Sequence, residues 1–140
     1  MNQIKPNNDF DIVTRIGSFK KTTKNIGEIT YHGTTDATVK EISDFLEQVY
    51  VLMNNKPFYI VNNLVNDLGS FSADIWKFIG TDTKHNTFIQ GSVIVTTSMG
   101  YEMQIKFFFK QFKPKYPAKI VSNKTEAYQW LNTLINSTSS

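Results

Sequence analysis

The sequence predicts an α/β domain on a mixed, mostly parallel sheet, and three observations predict it. Residues 57–63, Pro57-Phe58-Tyr59-Ile60-Val61-Asn62-Asn63, are a β-branched and aromatic run bounded by proline on one side and asparagines on the other. Such a run reads as a strand covered on both faces. Residues 91–97, Gly91-Ser92-Val93-Ile94-Val95-Thr96-Thr97, read the same way. Stretches of helical periodicity lie between and beyond these runs, and strands that alternate with helices demand parallel pairing through right-handed crossovers.

In chain order, residues 10–16 place Phe10, Ile12 and Ile16 on one face, and residues 26–32 place Ile29 and Tyr31 on one face. Period two marks two half-buried strands. The polar, basic stretch 17–25 between them is long enough for extended strand ends and a turn, and an antiparallel hairpin is expected. Gly33, Thr34, Thr35 and Asp36 offer turn and cap chemistry. A helix follows, its buried stripe formed by Val39, Ile42, Phe45, Leu46, Val49, Leu52 and Met53, and Asn54, Asn55 and Pro57 end it. After the central strand, Phe71, Ile75, Phe78 and Ile79 mark a second helix with Ser70 or Ser72 as its cap, and residues 80–90 show no periodicity. After the 91–97 strand a third helix is expected from about Met99 to Phe112, broken by Pro114 and Pro117. A short strand at residues 118–122 and a fourth helix opened by Asn123 complete the chain. Asn123 and Glu126 have capping-box spacing, and Ala127, Trp130, Leu131 and Leu134 form the last buried stripe. A single domain over residues 1–140 accommodates all of this.

Composition narrows the function classes. The apolar fraction is 40% and the aromatic fraction 14%, carried by eleven Phe and six Tyr, which favours a packed interior over disorder. The net charge of +3 is too small to mark a nucleic-acid binder. Cysteine is absent, which removes disulfides, thiolate nucleophiles and cysteine metal sites. The amino-terminal residues hold no apolar segment that could serve as a signal-peptide core, and no apolar run approaches the roughly 18 residues needed to span a bilayer. The expectation is a soluble, cytoplasmic protein.

The element order, the strands Phe58-Tyr59-Ile60-Val61 and Gly91-Ser92-Val93-Ile94-Val95, and the ending from Ala118 through Glu126, Ala127 and Trp130-Leu131 together resemble the STAS-like (SpoIIAA-like) domains. The resemblance spans about residues 10–135 and implies a mixed sheet, mostly parallel, with an N-terminal β-hairpin and four helices. In that family a serine in an Asp-Ser-Ser-Gly-like turn before the second helix is phosphorylated. The matching stretch here, Ser70-Phe71-Ser72-Ala73-Asp74, has the serines without the Asp-Ser pair or the glycine. The resemblance therefore makes Ser70 and Ser72 candidate phospho-acceptors, although a serine at a helix start is also an ordinary N-cap.

Few residues suggest chemistry. The carboxyl ends of the strands, where open α/β sheets bind ligands, carry His32, Asn62, Asn63, Thr97, Ser98 and Ser122. These are amides, hydroxyls and one imidazole, suited to a polar or anionic ligand. Asn62, Asn63, Thr97 and Ser98 are the candidate strand-end ligand groups. His32 and His85 lack partners at metal-ligand spacing, and neither a Gly-x-Ser-x-Gly elbow nor a Gly-rich phosphate loop occurs. No enzyme activity, cofactor or metal is expected.

The most unusual stretch is 101–116, in which aromatic residues and methionine alternate with lysines. Tyr101, Ile105, Phe108 and Phe112 account for one buried face, leaving Met103, Phe107 and Phe109 for another contact. The expectation is a non-enzymatic protein-interaction domain, homodimeric through Met103, Phe107 and Phe109. The alternatives are a carrier or sensor of a small apolar ligand, as in the related CRAL-TRIO domains, a phospho-switch at the second helix, and base stacking between Lys106, Lys110, Lys113 and Lys115.

Overall fold

A computed structural model describes residues 9–65, 67 and 71–138. Six strands, β1 (Ile12–Val13), β2 (Gly17–Thr23), β3 (Ile26–Tyr31), β4 (Phe58–Asn63), β5 (Ile89–Val95) and β6 (Ala118–Val121), form one sheet in sequence order. β1, β2 and β3 pair antiparallel, and β3 to β6 pair parallel. The helices are α1 (Val39–Leu52), α2 (Ala73–Thr81), α3 (Thr83–Phe88), α4 (Met99–Gln111) and α5 (Lys124–Thr138).

Because every parallel crossover steps to the next strand in the same direction, a constant right hand puts all the crossover helices on one face. α1 to α4 accordingly share one core, where Ile42, Phe45, Ile75, Trp76 and Ile105 pack on Phe58, Ile60 and Ile94. α5 follows the last strand and covers the opposite face, where Ala127 and Leu131 pack on Tyr59, Val61, Val93 and Val95. β4 is thus covered on both sides, and Phe58, Tyr59, Ile60 and Val61 are all buried, as the continuous apolar run requires. α5 comes close because Gly91 has no side chain: a Cβ there would lie 2.5 Å from Leu134 Cδ2.

Local chemistry sets the boundaries. Thr38 caps α1 in a full capping box with Glu41. The helix ends in a Schellman motif, in which Asn55 N–H donates to Tyr50 C=O and Asn54 N–H to Val51 C=O. Asn54, at φ 62°, takes the left-handed position that asparagine tolerates.

Three expectations change. The hairpin forms between β2 and β3, so most of the stretch expected to hold only strand ends and a turn is one full strand, and β1 shrinks to two residues. Phe19 alone secures β2: it is fully buried, whereas the outward residues are lysine and threonine, so the segment reads as polar. The cap of α1 is Thr38, and Asp36 instead pairs with Arg15 at 2.9 Å. Among the described residues there are five helices rather than four. Asp82 both ends α2, donating its N–H to Phe78 C=O, and caps α3, its carboxylate accepting from His85 N–H at 2.9 Å.

Candidate functional site

α4 is the element whose two sides differ most in their environment. Ser98 opens it, its hydroxyl oxygen accepting from Tyr101 N–H at 3.1 Å. Tyr101 and Ile105 are buried beneath it. Phe108 stacks on Trp76 with centroids 6.0 Å apart, and Phe109 meets the same indole edge-on at 6.0 Å. On the outer side Met99, Met103 and Phe107 are 77%, 65% and 61% exposed. Their spacing of four residues makes one stripe, and they are the three most exposed large apolar side chains after Val51 is set aside. Of the expected contact residues, Met103 and Phe107 therefore face outward and Phe109 turns inward. Met99 was missed, because nothing in the sequence showed that the helix starts with its first residue uncovered.

The stripe sits among cations. Lys106 lies on the same side, held by Glu102 at 2.9 Å. Between α4 and β6 runs a groove of about 460 Å³ lined by Lys106, Lys110 and Lys119, with Phe109, Ala118 and Ile120 among its apolar walls. Residues 99–119 hold five lysines against one glutamate, so this margin carries more positive charge than the whole chain's net +3.

Beneath α2 and α4 the sheet bounds a second, inner space. This cavity, about 40 Å³, is lined by Ile60, Asn62, Ser92, Trp76, His85, Phe109 and Tyr116, among others. Asn62 Nδ2 donates to Ser92 Oγ at 2.8 Å, and the buried Trp76 Nε1 has no hydrogen-bond partner among the described residues. His85 is clamped by hydroxyls on both ring nitrogens, Tyr50 at 2.9 Å on Nδ1 and Tyr116 at 3.3 Å on Nε2. Burial pushes its pKa down from 6.5 to about 4, against a smaller opposing pull from Asp82. The same burial raises the Tyr50 and Tyr116 hydroxyls above their ordinary range. The imidazole is therefore neutral at pH 7, one nitrogen donating and the other accepting.

The strand-end groups do not converge. Asn62 faces the inner cavity, Asn63 Oδ1 accepts from Val65 N–H at 3.1 Å in a turn, Thr97 is exposed, and Ser98 is a cap. The strand order never reverses, so the sheet has no switch point at which a crevice opens. What the loops there do build is a buried carboxylate: Asp67 accepts from Thr34 Oγ1 and from Tyr101 Oη, the latter at 3.0 Å, tying two loops to α4. Ser72 caps α2, its oxygen accepting from Ile75 N–H at 3.4 Å, and Ser70 lies outside the described residues. His32 is exposed, whereas His85 is buried. Among the described residues, no three His, Asp or Glu side chains gather as metal ligands, and no helix is long and apolar enough to cross a membrane.

These features define an α/β domain with one open, cationic and apolar margin. A family model described as a domain of unknown function, DUF7793, matches residues 20–135, and the chain belongs to that family. No curated protein and no solved structure matches it.

Proposed function

We propose that the chain is a non-enzymatic, STAS-like protein-interaction domain that engages its partner through the outward face of α4. The observation that carries this reading is the stripe of Met99, Met103 and Phe107 on a helix whose other face is fully used. Exposed methionines and an aromatic in one line, rimmed by polar groups, are the composition of an interface core. Charge bears on which partner. Self-association through this face would oppose Lys106 and Lys110 of two copies, so a chain of opposite charge is favoured over a homodimer.

The test is capture from the source cell by the wild type and by Phe107→Asp, with amide spectra of both. A partner lost by the variant while the spectrum beyond α4 is unchanged supports the reading. Equal capture by both overturns it, as does a dimer in light scattering that Phe107→Asp leaves intact.

A second reading is favoured by the unpartnered Trp76 N–H: the inner cavity senses a small neutral molecule. Among the described residues no charged side chain lines it, and burying an ion there would be costly. A cavity of about 40 Å³ exceeds the roughly 10–15 Å³ that one water occupies but admits only a few heavy atoms, far short of a lipid. Native mass spectrometry after mild purification tests this reading, and a clean apo mass counts against it.

A further inference from the structure

We propose that the groove between α4 and β6 binds an acidic, extended peptide segment that adds to the sheet beside β6. The proposal rests on the reading of α4 as the contact element and names the chemistry of what it contacts.

The backbone of β6 sets the geometry. β6 is the last strand of the sheet and has β5 on one side only. The carbonyls of Pro117 and Val121 accept from Ser92 and Thr96 N–H across that pair, at 2.9 and 3.0 Å. Alternation along a strand then directs the N–H and C=O groups of Ala118 and Ile120 to the open edge. These are the groups that an added strand would pair with, and strand addition to an exposed edge is an established mode of peptide capture.

Side chains select the occupant. Phe109, Ala118 and Ile120 give the groove an apolar wall beside that edge, and Lys106, Lys110 and Lys119 surround it. Among the described residues Glu102 is the one acid there, and it is already held by Lys106 at 2.9 Å. Lys110 and Lys119 have no ion pair among the described residues, so the groove has an excess of cations for carboxylates to meet. A second copy of β6 is the wrong occupant, because pairing it here brings its own lysine against this cluster. The short strand, its lysine and the flanking Pro114 and Pro117 are the features that guard an edge against its like. Nucleic acid is disfavoured as well: Phe108, Phe109 and Phe112 are turned at least partly inward, which leaves Phe107 as the exposed ring of the helix for a base to stack on.

The probe is a short, capped peptide alternating glutamate with valine, titrated into ¹⁵N-labelled full-length protein, with a lysine–valine peptide as control. The expected result is amide shifts over residues 103–110 and 118–121 for the acidic peptide and none for the basic one. Raising the ionic strength from about 0.05 M to about 0.5 M should weaken binding several-fold. Methylating the peptide nitrogens that face β6 should abolish it, and methylating the alternate set should leave it. Lys110→Glu with Lys119→Glu should lower affinity about tenfold or more; should that variant misfold, the N-methyl series on the wild type still decides. Shifts that fall elsewhere, equal binding of the basic peptide, equal effects of both N-methyl sets, or stronger binding to phosphatidylserine vesicles or single-stranded RNA than to the acidic peptide would each overturn the proposal. If the peptide fails while Phe107→Asp still releases a captured partner, the groove assignment falls and the reading of the outer face of α4 stands. If the peptide binds and Phe107→Asp releases nothing, the reverse holds.

Discussion

Acidification from pH 7 to below pH 4 is expected to cost the fold about 3 kcal/mol through His85 alone. In the unfolded chain its imidazole takes a proton near 6.5, whereas in the fold burial delays protonation to about pH 4. Above 6.5 both states are neutral and the group contributes no slope. Between 6.5 and 4 the unfolded chain binds the proton and the fold does not, so stability falls as pH falls; below 4 the loss is complete. The gap, at about 1.4 kcal/mol per pH unit, gives about 3 kcal/mol. The cause is visible in the clamp. A protonated ring donates from both nitrogens, so the one tyrosine hydroxyl that had donated to the accepting nitrogen must find a new acceptor for its proton inside the core. The assay is urea denaturation of the wild type and His85→Gln at steps from pH 7 to pH 4. Subtracting the two profiles removes the carboxylates they share. Parallel profiles, or an imidazole that titrates by NMR at pH 6 or above, would refute the reasoning.

Three further outcomes follow from the packing. Gly27→Ala places a Cβ 2.3 Å from Phe19 Cζ, and the ring is fully buried, so thermal or urea unfolding should show a loss of about 1–3 kcal/mol; Phe19→Leu in the same chain should recover part of it, and additive losses would sink the idea. Thr38→Ala removes the hydroxyl that accepts from Glu41 N–H at 3.1 Å and should cost about 1 kcal/mol. On α4, Ile105→Ala should cost about 2–5 kcal/mol, whereas Phe107→Ala should stay within about 0.5 kcal/mol. Equal losses at the two positions would mean that the outer stripe is covered within the monomer.

The parts of the fold that were legible in the sequence are those in which one residue type repeats at a fixed period. β4, β5 and α1 announce themselves because both faces of the strands and one stripe of the helix are apolar, so burial and pattern coincide. β2 was not legible, because one phenylalanine secures a strand whose other residues are glycine, serine, lysine and threonine, and its register is set by the fit of Phe19 over Gly27. α3 escaped notice for a similar reason: it is six residues long, and its buried side chain is His85, which pattern reading scores as polar. The inner cavity was invisible, since it depends on Asn62 and Ser92 meeting across two strands and on His85 arriving from a helix that the periodicity did not reveal. At α4 the sequence showed an excess of rings and where it lies. The helical period turned Phe108 in and left Phe107 and Phe109 out; it misplaced Phe109, because only the position of Trp76 brings that ring inward beside Phe108.

The open margin is a consequence of the topology rather than of α4 alone. A sheet whose parallel strands run in sequence order has a crossover layer in the same order, so α2 lies between α1 and α4, and α4 comes last. At the opposite end the sheet continues past β3 through β2 and β1, and Ile12 packs against the core that α1 also fills, with Val13 and Val51 exposed beside it. At the α4 end β6 stops the sheet, and the chain leaves for the other face through α5. The last helix and the last strand therefore lack an outer neighbour at the same place. A chain that had to be inert there would put polar residues on the outer turns of α4. This one puts Met99, Met103 and Phe107 there, and surrounds them with lysines that suit neither a further strand of its own nor a second copy. An added acidic strand supplies both missing neighbours at once, pairing with β6 and covering the adjacent flank of α4.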